Sequence, residues 1–404
     1  MDEPASSGTS GVIPATDASG RNAWVLTGAS FGGMFVFGIV MAVTGALLPR
    51  LTIGLGQAGN LIFILSFSML VAMLCLGPVI DRFGKKVPLA AGSVLVGAAL
   101  ALMAASRSYP SLLAAVAMLG IGGGALNGGT NTLVADLHKD PRRKNAALSL
   151  LGVFFGFGAL FLPFVIGAMV ERLGLGLILG VTAALPAVVA LLFFALQFPE
   201  PRRAEGLKLS LVGRLARNPL VLLFGLLLFF QSGNEFTIGG YTAAYLTRDV
   251  RLPLGAASYL LAAYWAALMV SRMALSRLLL YFNGPGVVML SGLGAAAGAV
   301  LLMLAHSLPA AAAGTVLIGM SFAGIYPTVL GLAGARFEDA SGTVFGIIFA
   351  IALVGGMTVP WMVGQIAART GLRTALVLPV FCGVMICVLQ ALIARRLGRS
   401  TANS

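Results

Sequence analysis

Residues 120–136 read GIGGGALNGGTNTLVAD, and the interpretation of the whole chain starts from this stretch. It is apolar enough to lie in a membrane, and its glycines allow another helix to approach closely. Asn127 and Asn131 are four residues apart, so on a helix they share one face. A bare amide is costly in lipid, and that face should therefore look into protein or into a water-filled cavity. Two alternatives follow: the amides hydrogen-bond across a helix–helix contact, or they line a solute pathway.

The composition of the chain indicates a membrane protein. Of its 404 residues, 59% are hydrophobic and only 10% are charged, and the mean hydropathy is +0.99. A soluble globular domain does not show such values. The net charge of +13 does not indicate nucleic-acid binding, because the basic residues lie between apolar runs, as in loops at a membrane surface. Cys75, Cys382 and Cys387 all lie in apolar segments, so we expect neither a disulfide framework nor a metal site.

Apolar runs long enough to cross a bilayer recur along the chain. We predict twelve spans, at residues 24–48, 59–80, 87–106, 110–137, 146–170, 174–197, 219–246, 253–282, 284–306, 309–335, 340–366 and 371–395. An even number of spans places both termini on one side, and that side carries 19 of the 26 Lys and Arg residues. By the positive-inside rule, both termini are expected in the cytoplasm and the chain in the plasma (inner) membrane.

A polar, basic segment interrupts the spans near the middle of the chain. Residues 199–219, PEPRRAEGLKLSLVGRLARNP, are bracketed by prolines and favour a linker, with a short helix on the membrane surface through its Leu and Arg residues. We therefore predict five regions: a disordered cytoplasmic tail at 1–22, a six-helix bundle at 23–198, a cytoplasmic linker at 199–218, a second six-helix bundle at 219–397 and a cytoplasmic tail at 398–404.

The two predicted bundles carry the same residue types at nearly constant spacing. A separation of 199 residues relates Gly120 to Gly319, and one of 197 relates Pro163 to Pro360. This spacing predicts two related bundles with a parallel repeat, and chains built in this way bind solute at the midplane between the bundles.

The loop after the second span carries the most specific local motif. Residues 77–86, GPVIDRFGKK, place a tight turn, an acid and several bases at a helix junction on the side of the termini. Asp81 can accept hydrogen bonds from a neighbouring helix N-terminus or pair with a base, which would hold one conformation closed; the alternative is an ordinary cluster of surface charges. The stretch resembles the loop signature of the major facilitator superfamily. The resemblance implies an all-α polytopic membrane protein with twelve transmembrane helices in two pseudo-symmetric six-helix bundles.

Residues with a gating role are expected in this loop and at the corresponding place in the second half. The second-half stretch 271–277, SRMALSR, keeps the bases but lacks the acid. The candidates for conformational gating are Gly77, Asp81, Arg82, Gly84, Lys85, Arg272 and Arg277.

Four short motifs narrow the resemblance to the fucose–proton symporter family and its sodium–glucose transporter relatives. They are NGGTN at 127–131, LLGVFFGFGAL at 150–160, QSGNE at 231–235 with GGY at 239–241, and IYPT at 325–328. Two membrane carboxylates are implied to carry coupling in that family, and their positions fall on Gly45 and Asn127 here. Neither residue titrates, which puts the family's usual proton route in question.

One carboxylate lies deep inside a predicted span. Of the thirteen Asp and Glu residues, only Glu235 is well inside a helix, the seventh. An isolated charge there is costly, so Glu235 should be protonated, paired, or facing water or an ion. Three roles remain open: a coupling site for H+ or Na+, a ligand for substrate hydroxyls, or a structural hydrogen-bonding group. By topology, Arg272 in the eighth span is the nearest partner.

The other candidate lining groups are amides and aromatic rings. Amides beside aromatic faces suit a neutral polyhydroxylated solute, although for any single ring helix packing is the more frequent role. The candidate substrate-binding residues are Asn127, Asn131, Gln231, Asn234, Glu235, Tyr264, Trp265, Tyr326 and Phe155.

The sequence contains neither a nucleotide-binding loop nor a residue arrangement typical of an enzyme site. We expect no cofactor other than a coupling H+ or Na+. Our interpretation is a monomeric secondary active or facilitative transporter, in contact with the lipid bilayer, that moves a small neutral solute, a sugar, by alternating access. A multidrug or amphiphile exporter, a lipid or lysolipid translocator, and a non-transporting membrane receptor of the same fold are the alternatives.

Overall fold

The computed structural model describes residues 16–138, 140–199, 209–278 and 283–402. Within these ranges the chain is helical, without β-strands, and two single 3-10 turns follow the first and the twelfth α-helix. The α-helices are α1 (Thr16–Leu47), α2 (Leu55–Phe83), α3 (Lys86–Ala105), α4 (Tyr109–Leu137), α5 (Pro141–Thr182), α6 (Ala184–Ala195), α7 (Leu209–Ala216), α8 (Pro219–Arg248), α9 (Leu254–Leu278), α10 (Gly284–Met303), α11 (Leu308–Phe322), α12 (Ile325–Arg336), α13 (Ser341–Thr370), α14 (Leu372–Ala375) and α15 (Val377–Ala402).

Eleven segments of the described chain are long and apolar enough to cross a membrane. One of them, residues 143–195, has 53 residues, far more than one crossing requires. It contains two of the predicted spans, because Gly174 interrupts the helix with a φ of 71°, which glycine adopts without steric penalty. Counted in this way, the described spans are the twelve that the hydropathy pattern predicts.

The predicted tenth span, residues 309–335, is not one continuous helix. α11 ends at Phe322 and α12 begins at Ile325, so the helix is broken at Ala323 and Gly324. Gly324 packs tightly there: a Cβ built on it would lie 2.8 Å from Cδ2 of Leu275 on α9. The hydropathy is continuous across this break and gave no signal of it. The break matters because Tyr326 lies in the first turn after it.

The first and the last α-helix extend into the two predicted tails. α1 begins at Thr16, inside the predicted tail 1–22, and α15 continues to Ala402, inside the predicted tail 398–404. Residues 1–15, 403–404 and the linker residues 200–208 lie outside the described residues. The rest of the linker forms α7, the short helix that we expected, and α7 packs on α13 through a face that buries Leu215.

The two halves share one internal packing pattern. α1 packs on α5 and α3 on α4 in the first half, as α8 packs on α13 and α10 on α11 in the second. The closest approaches use equivalent glycines. A Cβ on Gly158 would lie 1.8 Å from the carbonyl oxygen of Phe35, and a Cβ on Gly355, 197 residues later, would lie 2.0 Å from that of Phe229. The sequence repeat is therefore a repeat of two six-helix bundles.

The halves are joined at the ends of the helices opposite the termini, which we call the far face. Here α2 packs on α13, α5 on α9 and α1 on α8. Ser66 donates to the carbonyl of Gly356 (3.1 Å), and the indole N–H of Trp361 donates to Asn60 Oδ1 (3.0 Å).

The opposite end of the cleft between the halves is accessible. Asn127, Arg272 and Tyr326 lie on the terminus side of the sealed contacts and are partly exposed, whereas Tyr241 and Trp265, nearer the far face, are buried. The cleft is thus closed at the far face and open toward the termini.

Candidate functional site

A buried carboxylate lies between the halves, just inside the sealed far face. Glu235 is 9% exposed and lines a narrow cleft that is partly open to solvent. The cleft is walled by α1 and α2 from the first half and by α8 and α9 from the second: Met41, Thr44, Gly45, Ile62, Leu65, Phe236, Gly239, Gly240 and Trp265. In this conformation the cleft has room for about one water molecule.

Glu235 has one direct hydrogen-bond donor. Gln231, one turn earlier on α8, donates from Nε2 to Glu235 Oε2 at 3.4 Å. The charge of Arg272 on α9 also acts on the carboxyl, but among the described residues no ion pair within 4.0 Å joins the two. The predicted Glu235–Arg272 relationship is electrostatic, not a direct ion pair, in this conformation.

Buried polar atoms without a hydrogen-bond partner gather around this carboxyl. In the described part of the chain they include Gln231 Oε1, Tyr264 OH, Trp265 Nε1, Arg272 Nε and Thr44 Oγ1. Leaving a buried polar group unpaired costs about 1–3 kcal/mol, and buried groups in native structures are normally paired with protein, water or ligand. The group contains both donors and acceptors, and a hydroxyl both donates and accepts. The arrangement can therefore bind water or a hydroxylated molecule.

Aromatic rings of the two halves contact each other beside these unpaired polar atoms. Phe155 of α5 meets Trp265 of α9 edge to face, with centroids 5.9 Å apart and an interplanar angle of 86°. Tyr264 lies against Trp265 at 4.9 Å. Tyr264 and Trp265 are almost fully buried, so in this conformation their rings serve packing, and their unpaired polar atoms are what the site offers to a ligand.

Tyr326 lies on the open side of the cleft. Its hydroxyl is 3.0 Å from Ser232 Oγ on α8, and its ring stacks on Phe349 with centroids 6.2 Å apart. Sequence reasoning missed Ser232 and Thr44. A hydroxyl between Gln231 and Glu235 was a usable signal for Ser232, but nothing in the local pattern marked Thr44.

Asn127 and Asn131 pair with each other. Asn131 Nδ2 donates to the carbonyl oxygen of Asn127 at 2.8 Å and to its Oδ1 at 3.2 Å. These bonds lie within α4, so they are not the cross-helix bonds of the first alternative. Both residues are partly exposed. Around the circumference of α4 they lie between the side that contacts Gly33 of α1 and the side that contacts Leu76 of α2. A role of both residues in lining a solute pathway stays a prediction.

Asn234 bonds to α15 and not to Glu235, its Oδ1 is buried without a partner, and its predicted part in substrate binding stays a prediction. Its Nδ2 donates to the carbonyl of Pro379 on α15 at 3.1 Å, and the residue is 1% exposed. It lies one residue from Glu235, and successive residues on a helix point about 100° apart. The polar run 231–235 therefore divides between the cleft and the interior of the second half.

The ion pair that the predicted gating loop forms does not use Asp81, the acid that we predicted. Lys85 pairs with Asp136 at the end of α4, within the first half. Asp81 and Arg82 are exposed, and Asp81 has no hydrogen bond or ion pair in the described part of the chain. Gly84 ends α2 with a φ of 73°, a conformation that favours glycine. Gly77 is exposed in the last turns of α2, and the side chain of Arg277 lies outside the described residues.

Comparisons with known proteins agree with this architecture. The model of the family described as Major Facilitator Superfamily matches residues 24–236. A glucose/galactose transporter of Brucella abortus is 24% identical over 380 residues, covering 86% of this chain and 89% of that protein. An uncharacterized transporter of Sinorhizobium fredii is 28% identical over 163 residues, and the alignment spans only 43% of its length.

Two solved structures share the fold. A point mutant of the nucleoside transporter NupG superimposes with a TM-score of 0.78 at 13% identity, over 92% of this chain and 99% of that one. A point mutant of the E. coli fucose:proton symporter FucP superimposes with a TM-score of 0.65 at 19% identity, over 92% and 99%. At these identities the likeness concerns the fold alone.

Proposed function

Because this chain belongs to the Major Facilitator Superfamily and is a membrane transporter of that family, we propose that it moves a small polyhydroxylated solute, a sugar, by alternating access of its two halves. The observation that carries this proposal is the set of unpaired buried polar atoms around Glu235, between two halves that are sealed on one face and open on the other. The glucose/galactose transporter similarity supports the sugar class. The family and these relatives are transporters, in agreement with the expectation that the chain is not an enzyme.

The terminus side of the site suits hydroxyl recognition. Asn127 and Asn131 from the first half and Tyr326 from the second offer amide and phenol groups that are partly exposed. Gln231, Tyr264 and Trp265 offer the unpaired atoms closer to the far face. A ring-shaped solute entering from the open side would meet amides first and the deeper polar atoms last, and it would contact both halves, as alternating access requires.

Glu235 is the proposed coupling group, for H+ or Na+. It is the one described acid inside the membrane-spanning part of the cleft, and its partner Gln231 is neutral. At the position implied for a first-span carboxylate, Gly45 is packed against α8, where a side chain does not fit. Glu235 lines the same cleft as Gly45, so a carboxyl from α8 is present there although α1 supplies none.

The proposed orientation keeps both termini in the cytoplasm of the plasma (inner) membrane, by the distribution of Lys and Arg. With this orientation the structure is inward-facing, because the cleft is open toward the termini. Solute would then leave to, or be taken from, the cytoplasm in this state.

Counterflow in proteoliposomes tests the proposal. Vesicles are preloaded with unlabelled glucose or galactose, and the transient accumulation of the labelled sugar is followed, which requires no ion gradient. Accumulation that excess unlabelled sugar abolishes would establish sugar transport. The absence of counterflow across hexoses, pentoses and their acid derivatives, from protein shown to be folded, would contradict it.

The variant Glu235→Gln tests coupling in the same vesicles. We expect gradient-driven accumulation to be lost while counterflow persists, because glutamine preserves the shape and cannot take up a proton. Glu338→Gln, an exposed acid on the terminus side, is the matched control. Unchanged uptake under proton and sodium gradients would remove Glu235 from the mechanism.

A further inference from the structure

Arg272 is a cation within the second half that lacks an acidic partner in the described part of the chain. The residue is partly buried, its Nε is buried without a hydrogen-bond partner, and none of the described ion pairs includes it. Charged side chains inside transmembrane helices are costly, and they normally pair with an acid, a backbone carbonyl or a ligand. The buried Nε–H therefore has no partner among the described side chains and is available to a ligand.

The position of Arg272 points to a partner inside the cleft. Its charge acts on Glu235, on Tyr264 of its own helix and on Tyr326 of α12, all of which belong to the site. Toward Glu235, α1 and α2 present Thr44 together with apolar side chains and no titratable group. The charged and titratable groups that face Glu235 are thus Arg272, Tyr264 and Tyr326, and only Arg272 is a cation.

We propose that the solute is a sugar acid, a polyhydroxylated monocarboxylate, whose carboxylate is bound by Arg272 when Glu235 carries a proton. This inference rests on the proposed function and names its substrate class, and it replaces the neutral sugar of the sequence interpretation. A guanidinium matches the planar carboxylate geometry, and the hydroxyls of the solute match the unpaired atoms of Gln231 and Trp265.

Charge balance links the binding of the proton to the binding of the anionic solute. While Glu235 is ionised, its carboxylate competes with the carboxylate of the solute for the positive charge of Arg272. One proton added to the Glu235 carboxylate neutralises it and leaves the positive charge to the incoming anion. Proton and anion then bind cooperatively, and the site containing both has the same net charge as the empty site with ionised Glu235.

Because the site contains one cation, it favours a monoanionic carboxylate over anions of higher charge. A phosphate monoester carries a charge of about −1.5 to −2 at neutral pH, and one guanidinium does not balance it. A neutral sugar, in turn, offers the guanidinium no opposite charge. A monoanion with several hydroxyl groups satisfies both the single cation and the neutral polar atoms.

Counterflow with matched sugars tests this inference. Labelled glucuronate and gluconate are compared with labelled glucose in the same proteoliposomes, for the unaltered protein and for Arg272→Gln, Arg272→Lys and Arg369→Gln. Arg369 is exposed at the far face and is the matched control for the loss of one positive charge. We expect counterflow of the acids to fall at least tenfold in Arg272→Gln, to be partly retained in Arg272→Lys and to be unchanged in Arg369→Gln.

A second measurement records the movement of protons. An acid gradient imposed on the unaltered protein should move protons with the solute, recorded by a pH-sensitive dye inside the vesicles. Glu235→Gln, which imitates the protonated carboxyl, should lose the proton signal, and a proton signal that persists in this variant would overturn the coupling through Glu235.

The outcomes separate this inference from the proposed function. Counterflow of glucose without counterflow of either acid overturns the inference and leaves a sugar transporter. Acid counterflow that survives Arg272→Gln also overturns it. Counterflow of none of these solutes, from folded protein, overturns both the inference and the proposed function.

Discussion

Gly45 on α1 and Gly239 on α8 touch through their backbones at the far face, and a Cβ built on Gly45 would lie 1.8 Å from the carbonyl oxygen of Gly239. The other two pairs of helices that join the halves also meet through glycines. Gly59 on α2 lies against Gly364 on α13, and a Cβ on Gly167 of α5 would lie 3.3 Å from the carbonyl oxygen of Gly255 on α9. Backbones that approach this closely need residues without side chains.

The replacement Gly45→Ala should therefore disfavour closure of the far face. Overpacking typically costs about 1–3 kcal/mol, which corresponds to a population shift of roughly 5–150-fold toward conformations open at that face. The measurement is the labelling of Met41→Cys by a membrane-impermeant maleimide applied to the far face, in a background without the three native cysteines. Gly28→Ala on the same helix, where a Cβ meets nothing within 4 Å, is the control. Equal labelling with Ala and Gly at position 45 would contradict the role of this contact.

Trp265→Phe should weaken solute binding. The replacement keeps a ring for the contact with Phe155 and removes the buried, unpaired indole N–H. One hydrogen bond contributes about 0.5–1.5 kcal/mol, so we expect KM for transport to rise about 2- to 10-fold with kcat little changed. The half-exposed Trp24, replaced by Phe in the same way, should leave KM unaltered. A wild-type KM in Trp265→Phe would show that the indole N–H does not contact the solute.

Asp81→Asn should slow transport without lowering stability. Asp81 is exposed and without a described partner while the terminus side is open, so the conformation in which it acts is the one closed on that side. We expect a slower counterflow rate with unchanged thermal unfolding of the purified protein. Asp136→Asn gives the contrast, since it breaks the pair with Lys85 inside the first half and should lower stability by about 0.2–1 kcal/mol. Normal counterflow in Asp81→Asn would identify the loop as an ordinary cluster of surface charges.

Arg373→Gln should destabilise the second half at the far face. The Arg373 guanidinium donates to the carbonyl of Met303 (3.1 Å), the last residue of α10, and to that of Ala305 (3.0 Å), two residues later. Hydrogen bonds from a charged donor contribute about 1.5–3 kcal/mol, and the loss should appear as a lower unfolding temperature. Arg369→Gln removes the same charge from an exposed residue near the end of α13 and should have little effect. Equal unfolding temperatures for the two variants would rule out the capping role of Arg373.

Much of the architecture followed from local sequence features. The hydropathy runs predicted twelve spans, and the structure contains them once the break at Gly174 is recognised. The spacing of 197 residues predicted a repeat that the paired contacts of Gly158 and Gly355 confirm. Glu235 was predicted as the one deep acid, and it lies in the cleft between the halves.

The orientation of neighbouring polar residues could not be predicted in the same way. Gln231, Asn234 and Glu235 are within five positions of one another, yet Asn234 bonds to α15 while the other two meet in the cleft. A transmembrane helix is apolar on most of its surface, so no hydrophobic stripe in the sequence marks which side faces protein. The break before Tyr326 was hidden for the same reason.

The sequence by itself determined the membrane class, the number of spans, the internal repeat and the rarity of buried charge, because each depends on residue type and spacing along the chain. Only the tertiary structure decided that the far face is closed through Gly45 and Gly239, and that Arg272 approaches Glu235 without an ion pair. These features depend on how helices from two distant halves of the chain approach each other. That distance is set by close packing between backbones, to which no local pattern in either helix corresponds.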